Sequence, residues 1–229
     1  MYEFLFLDLD DTILDFKKAE FIALSKSLRS LSIEPTEALL EQYHRINMAH
    51  WERLERGELT REQVLIGRFR VLFEQLHLPA SPERCAASYE HNLGIGHYFL
   101  PGALEAVQAL HKKYRLYLAS NGTAAVQDSR LTSAGLYPYF EKVFVSQKVG
   151  ADKPSREYFS RCFSQIPDFD PSRAIIVGDS LTSDIQGGIN AGIATCWVNT
   201  RHHPKRADIR PDYEIEALSQ LEELLDSLH

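Results

Sequence analysis

The chain of 229 residues has an ordinary globular composition, 44% hydrophobic and 25% charged, which excludes a disordered, collagen-like or repetitive protein. Its 25 basic and 32 acidic residues give a net charge of −7, and without a basic stripe we expect no nucleic-acid partner. Three widely separated cysteines, no signal peptide and no long apolar run predict a cytoplasmic protein with reduced thiols and no membrane partner.

Strands and helices are predicted from the hydrophobic pattern, in chain order. The apolar run Phe4–Leu7 is followed at once by acidic residues, a pattern typical of a buried parallel strand. Residues 17–97 show helical spacing without strand signals, and breakers divide them into about four helices. From residue 101 onward the predicted strands are residues 116–119, 143–145, 174–177 and 194–198, and the predicted helices are residues 102–112, 124–133, 156–163, 183–191 and 216–228.

This alternation predicts an α/β fold, a Rossmann-like, doubly wound parallel sheet of about five strands. The helical segment interrupts it after the first strand. We therefore expect a core domain of residues 1–15 and 98–229, and an inserted all-helical domain of residues 16–97. Ligands bind at the carboxyl ends of strands in such sheets. The polar residues that follow three predicted strands should meet there: Asp8, Asp10, Ser120 and Asp179.

The residues expected at this edge favour a metal and a phosphoryl group. Four carboxylates, those of Asp8, Asp10, Asp179 and Asp184, would repel one another without a cation, and oxygen ligands suit Mg²⁺. Lys153 can supply further positive charge. A metal, a lysine, a hydroxyl and turn amides together suit a phosphoryl group. The absence of GxxxxGK[ST], and of GxGxxG after the first strand, argues against nucleoside triphosphate or dinucleotide sites.

Four short motifs resemble, in order and spacing, those of the haloacid dehalogenase superfamily. They are Asp8-Leu9-Asp10-Asp11-Thr12, Ser120-Asn121-Gly122, Lys153-Pro154, and Gly178-Asp179-Ser180 with Ser183-Asp184. The helical insertion resembles that superfamily's helical cap. Residues 187–199, and in the insertion Asn47, Trp51, Gly57 and Arg68-Phe69, are similar to its pyrimidine 5′-nucleotidase branch. Ser120 stands where many relatives carry threonine, and it keeps the hydroxyl.

The resemblance implies roles for the acidic residues. Asp8 resembles the nucleophile that forms an aspartyl-phosphate, and Asp10 resembles the general acid and base. Mg²⁺ would be held by the carboxylates of Asp8 and Asp179 and by the backbone carbonyl of Asp10. Asp184 would act on the metal, directly or through water, or would orient Lys153.

The resemblance also implies substrate contacts in the other motifs. The Ser120 hydroxyl and the backbone amides of Asn121 and Gly122 would bind phosphoryl oxygens. Lys153 would neutralise the charge of those oxygens. The insertion would then close over the rest of the substrate.

Three residues of the insertion are the expected specificity contacts. Asn47 and Trp51 are four residues apart and share a helix face. Trp51 is therefore predicted to stack on a base and Asn47 to bond to a pyrimidine edge. Arg68 is predicted to reach a ribose or phosphate oxygen.

The predicted function is Mg²⁺-dependent hydrolysis of a phosphomonoester, with (deoxy)pyrimidine nucleoside 5′-monophosphates as substrates. Phosphatases of phosphoglycolate or a sugar phosphate, and phosphoglucomutase-like transfer, remain alternatives. A 2-haloacid dehalogenase needs neither metal nor acid, so Asp10 with Asp179 disfavours it. A non-catalytic phosphate-sensing protein is disfavoured because every motif residue is present. We expect a small-molecule substrate, and a monomer or weak homodimer.

Overall fold

The structure is a computed structural model that describes residues 1–228. It divides into two compact units. The core unit joins Met1–Asp15 to the chain from Tyr98 onward, and the helical unit is Phe16–His97.

The core unit is built on six parallel strands: β1 Phe4–Leu7, β2 Arg115–Ser120, β3 Lys142–Val145, β4 Ala174–Gly178, β5 Ala194–Val198 and β6 Tyr213–Ile215. Their order in the sheet is β3-β2-β1-β4-β5-β6, and every neighbouring pair is parallel. The predicted α/β, Rossmann-like class is confirmed, with one strand more than expected. The strand β6 was missed because three residues with a central glutamate form no apolar run.

The helical unit contains four helices: α1 Phe16–Ser30, α2 Glu37–Glu55, α3 Arg61–Gln75 and α4 Pro82–Ile95. Side-chain caps fix where three of them begin. The hydroxyls of Thr36, Thr60 and Ser81 each accept a backbone hydrogen bond from the first turn of the following helix, which satisfies amides that the helix itself leaves open.

The core-unit helices are α5 Ala103–Leu110, α6 Ala124–Ser133, α7 Ser146–Val149, α8 Arg156–Phe163, α9 Gln186–Ala191 and α10 Leu221–Ser227. A π-helical turn, Leu181–Ile185, leads into α9. Within residues 1–228, no helix of either unit combines the length and apolar character needed to cross a membrane.

Both faces of the sheet are covered by apolar side chains, because successive residues of a strand point to opposite faces. Leu5 and Leu7 of β1 belong to a core cluster with residues of α5 and α10. Phe4 and Phe6 belong to a second cluster with residues of α8. With both faces buried, ligand access is left to the loops at the carboxyl ends of the strands.

Candidate active site

Three carboxylates of the core unit converge at the carboxyl edge of the sheet. Asp8 follows β1, Asp179 follows β4, and Asp184 lies in the π-helical turn. Each offers an oxygen, and these oxygens all lie within 4.8 Å of one another. Gly178 permits this approach, since a Cβ there would lie 2.2 Å from an Asp184 oxygen.

The Lys153 side chain bridges two of these carboxylates. Its ammonium donates to Asp8 Oδ1 at 2.7 Å, to Asp184 Oδ1 at 2.6 Å and to the Ala119 carbonyl at 2.7 Å. An ammonium has three hydrogens, so protein oxygens use all of them. The lysine is buried and acts as a fixed positive charge beside Asp8.

The pKa values of Asp8 and Asp179 show that ionising these carboxyl groups is unfavourable without a further cation. Burial raises the pKa of Asp8 to about 8, with repulsion from Asp184 and Asp10 adding to it and Lys153 opposing it. Burial, with repulsion from Asp11 and Asp8, likewise holds the pKa of Asp179 well above its usual value. Burial acts to lower the pKa of Lys153, but Asp184 and Asp8 together raise it. Hard carboxylate oxygens that one lysine only partly neutralises are a donor set that fits Mg²⁺.

Side chains of the second motif, Ser120-Asn121-Gly122, make hydrogen bonds to backbone groups nearby. Asn121 Nδ2 donates to the Lys153 carbonyl, and Asn121 Oδ1 accepts from the Lys153 amide, each at 2.9 Å. The Asn121 side chain therefore sets the position of the lysine backbone. The Gly122 amide, which was predicted to bind a phosphoryl oxygen, donates to Ser120 Oγ at 3.1 Å, and its contact with a substrate stays a prediction.

The Asp10 side chain faces two buried residues of α6 that sequence reasoning missed. Its carboxylate accepts hydrogen bonds from Gln127 and from Arg130. A signal for both existed in the sequence. They lie between Val126 and Leu131 on the buried face of α6, so two polar residues interrupt an apolar helix face shortly after the Ser-Asn-Gly turn.

Two predicted specificity residues are instead internal to the helical unit. The Asn47 amide donates to Glu20 Oε1 at 2.7 Å, and its oxygen accepts from Arg68 Nη1 at 2.7 Å. Arg68 is 1% exposed and also pairs with Glu90. The predicted substrate contacts of Asn47 and Arg68 are thus corrected, because their polar groups bind neighbouring helices. Trp51 is partly exposed, and the Arg61 guanidinium lies 5.6 Å from its ring centroid.

Residues 2–192 match the model of the haloacid dehalogenase-like (HAD) hydrolases. The chain belongs to this family. It is 38% identical to the HAD-hydrolase YfnB of Bacillus subtilis, over 98% of this chain and 96% of that protein. The crystal structure of magnesium-bound YfnB, which reveals interdomain movement, superposes with a TM-score of 0.94 and covers 98% of this chain and 99% of that one.

Two further relatives of this HAD hydrolase are pyrimidine 5′-nucleotidases. PynA of Streptococcus pneumoniae is 35% identical over 98% of this chain and 95% of its own length. YjjG of Escherichia coli is 32% identical over 98% of both chains. The protein is therefore a HAD-type hydrolase, as the four motifs predicted.

Proposed function

We propose that this HAD hydrolase is a Mg²⁺-dependent phosphomonoesterase that works through an aspartyl-phosphate. The observation that carries the proposal is the buried Asp8 carboxylate, placed against the Lys153 ammonium in a cluster of three acidic residues. A carboxylate in this setting can act as a nucleophile once a cation offsets the charge around it.

The carboxylates of Asp8 and Asp179 and the backbone carbonyl of Asp10 would hold the metal, with Asp184 contributing directly or through water. When bound, Mg²⁺ supplies positive charge that draws phosphoryl oxygens to the site and offsets the charge of the reaction. Asp184 also orients Lys153, since it accepts one of the three ammonium hydrogens.

The protein residues divide hydrolysis into two steps. First the Asp8 carboxylate attacks phosphorus, the bond from phosphorus to the ester oxygen breaks, and the Asp10 carboxyl gives its proton to the departing alkoxide. Then the Asp10 carboxylate takes a proton from a water molecule as that water attacks phosphorus. The bond between phosphorus and the Asp8 oxygen breaks, inorganic phosphate leaves, and both aspartates return to their starting states.

The proposed substrates are (deoxy)pyrimidine nucleoside 5′-monophosphates. Support comes from the two relatives named pyrimidine 5′-nucleotidases, each of which matches 98% of this chain. Trp51 remains the proposed base contact, because its ring is partly exposed and an aromatic ring can stack on any base.

A panel of phosphate monoesters tests this proposal. Phosphate release from dUMP, dTMP, UMP, purine nucleotides, phosphoglycolate and sugar phosphates would be measured with chelator and again with added Mg²⁺. We expect activity to disappear with chelator, return with Mg²⁺ and be highest in kcat/KM for the pyrimidine nucleotides. Better turnover of sugar phosphates or phosphoglycolate would refute the substrate class. Chloride release from a 2-haloacid in chelator would support dehalogenase chemistry instead.

A further inference from the structure

Two buried polar side chains on α6, Gln127 and Arg130, lie beside the reaction site but have no role in the steps above. Arg130 is 0% exposed and Gln127 is 1% exposed. A buried guanidinium is unfavourable unless its charge is matched. The partners of their hydrogen bonds therefore indicate the role of the two residues.

Their hydrogen bonds go to opposite oxygens of one carboxylate. Arg130 Nη1 donates to Asp10 Oδ1, and Gln127 Nε2 donates to Asp10 Oδ2 at 2.7 Å. Arg130 Nη1 also donates to Gln127 Oε1 at 3.0 Å, which fixes the amide with its nitrogen toward Asp10. These hydrogen bonds fix the orientation of the Asp10 carboxyl group, of whose side chain 26% is exposed. They use one acceptor site on each oxygen, so a second site on each remains for the proton that Asp10 transfers.

Gln127 connects this carboxylate to the second motif. Its Nε2 also donates to Ser120 Oγ at 2.9 Å, and Ser120 Oγ accepts a further hydrogen bond from the Gly122 amide. A hydroxyl has two acceptor sites and one hydrogen. With both acceptor sites used, the Ser120 hydrogen is directed to an incoming acceptor, which suits a phosphoryl oxygen.

The second motif leaves room for Gln127. A Cβ on Gly122 would lie 2.2 Å from Gln127 Nε2, 2.6 Å from its Cδ and 2.8 Å from its Cγ. Any side chain at this position would displace the amide from Asp10 and Ser120. The glycine of the Ser-Asn-Gly turn is thus explained by the approach of Gln127.

We propose that Gln127 and Arg130 are positioning residues, which orient Asp10 toward the leaving oxygen and the Ser120 hydroxyl toward a phosphoryl oxygen. This inference rests on the proposed phosphatase function. Arg130 binds Asp10 and the Gln127 amide, whereas Gln127 binds both Asp10 and Ser120 directly. The two residues should therefore give different defects.

The test compares wild type with Arg130→Met and Gln127→Leu, each checked for folding by circular dichroism. Ser129→Ala, on the exposed side of the same helix, is the matched control. Turnover is measured on the alkyl phosphate dUMP and on p-nitrophenyl phosphate, whose leaving oxygen hardly needs a proton. We expect both variants to lose about 10²-fold in kcat on dUMP but under about tenfold on the aryl ester. The control should match wild type.

A second readout needs no turnover. Inorganic phosphate binding in the presence of Mg²⁺, measured by calorimetry, should weaken about three- to tenfold in Gln127→Leu. It should weaken less in Arg130→Met, which keeps the hydrogen bond from Gln127 to Ser120. Equal losses on the two esters by folded variants, or no loss, would overturn the positioning role while leaving the phosphatase intact. If Arg130→Met fails to fold, Gln127→Leu alone tests the positioning role, because this substitution removes no charge. A wild type that releases phosphate from no ester would refute both proposals.

Discussion

Within the described residues 1–228, each unit buries one arginine, and the two arginines have different roles. Arg68 on α3 binds Asn47 on α2 and Glu90 on α4, and Asn47 in turn binds Glu20 on α1. This set of contacts ties four helices together. Arg130 on α6 binds Asp10, in the loop after β1, and its own neighbour Gln127.

The role of a buried charge in this protein follows from its partners. Burial alone did not distinguish the two arginines, since Arg68 is 1% exposed and Arg130 is 0% exposed. What separates them is the placement of their partners. Partners on packed helices indicate a network that stabilises the fold. A partner in a loop at the carboxyl end of a strand indicates that the arginine positions a residue of the reaction site.

The largest expected effect lies in the core unit. Asp8→Asn removes the carboxylate proposed to attack phosphorus, and we expect kcat to fall by roughly 10⁴-fold or more, because no neighbour replaces a nucleophile. Melting temperature should stay the same or rise, since Asp184 and Asp179 lose a repulsive neighbour. Phosphate release by enzyme freed of contaminating phosphatases measures this. Residual turnover within about tenfold of wild type would contradict the assignment.

Arg68→Met should produce the opposite pattern in the helical unit. It leaves the buried Glu20 network without its positive charge, and we expect a loss of about 3–5 kcal/mol in the free energy of unfolding. Turnover of p-nitrophenyl phosphate by the folded fraction should change little. Denaturant unfolding and initial rates measure the two quantities. Unchanged stability with weakened nucleotide binding would restore Arg68 as a substrate contact.

The pH dependence of the free energy of unfolding gives a further comparison of the two regions. Burial raises the pKa of Asp8 to about 8 in the folded protein, against an ordinary value of 3.8. Between these values the folded state binds more protons, so the stability contributed by protonated Asp8 is lost as pH rises. In chelator, we expect the stability of Asp8→Asn relative to wild type to increase by about 1–3 kcal/mol from about pH 5 to about pH 8.

Denaturant unfolding of both proteins at the two pH values measures this difference. Arg68→Met serves as the comparison, since it removes a stabilising charge rather than a repelled one. A relative stability of Asp8→Asn that falls toward higher pH would show that Asp8 is favourably ionised without metal. That result would remove the electrostatic reason for a cation at this site.

The smallest expected effect concerns Trp51. Trp51→Ala should reduce the preference for pyrimidine nucleotides over p-nitrophenyl phosphate by about 1–3 kcal/mol, the usual contribution of a base-stacking aromatic residue. The ratio of kcat/KM values for the two substrates measures it. Met48→Ala, an exposed apolar residue of the same helix, is the control. Equal slowing of both substrates by Trp51→Ala would argue against base recognition.

Sequence patterns predicted the sheet better than its surroundings. Buried parallel strands are continuous apolar runs, so Phe4–Leu7 and Ala194–Val198 were predicted with their observed bounds. The helix expected from residue 183 begins earlier, as the π-helical turn Leu181–Ile185, because the Ser180 hydroxyl caps it at the Ser183 amide. A single hydrogen bond of this kind leaves no periodic signal.

The candidate site was predictable where a residue type alone suggests its chemistry. Asp8, Asp179 and Lys153 come together as expected at the carboxyl edge of the sheet. The partners of polar side chains were not predictable. Whether Asn47 faces a ligand or Glu20, and whether Arg130 faces solvent or Asp10, depends on packing between segments distant in sequence.

The central claim, that Asp8 is the nucleophile of a metal-dependent phosphoryl transfer, is tested most directly by a crystal structure with Mg²⁺ and beryllium fluoride. Beryllium fluoride forms a phosphoryl-like adduct on a nucleophilic carboxylate. We expect beryllium bonded to Asp8, Mg²⁺ in contact with Asp8 and Asp179, and the Ser120 hydroxyl donating to a fluoride. Beryllium bonded to another carboxylate, or Mg²⁺ bound away from Asp8 and Asp179, would contradict the account.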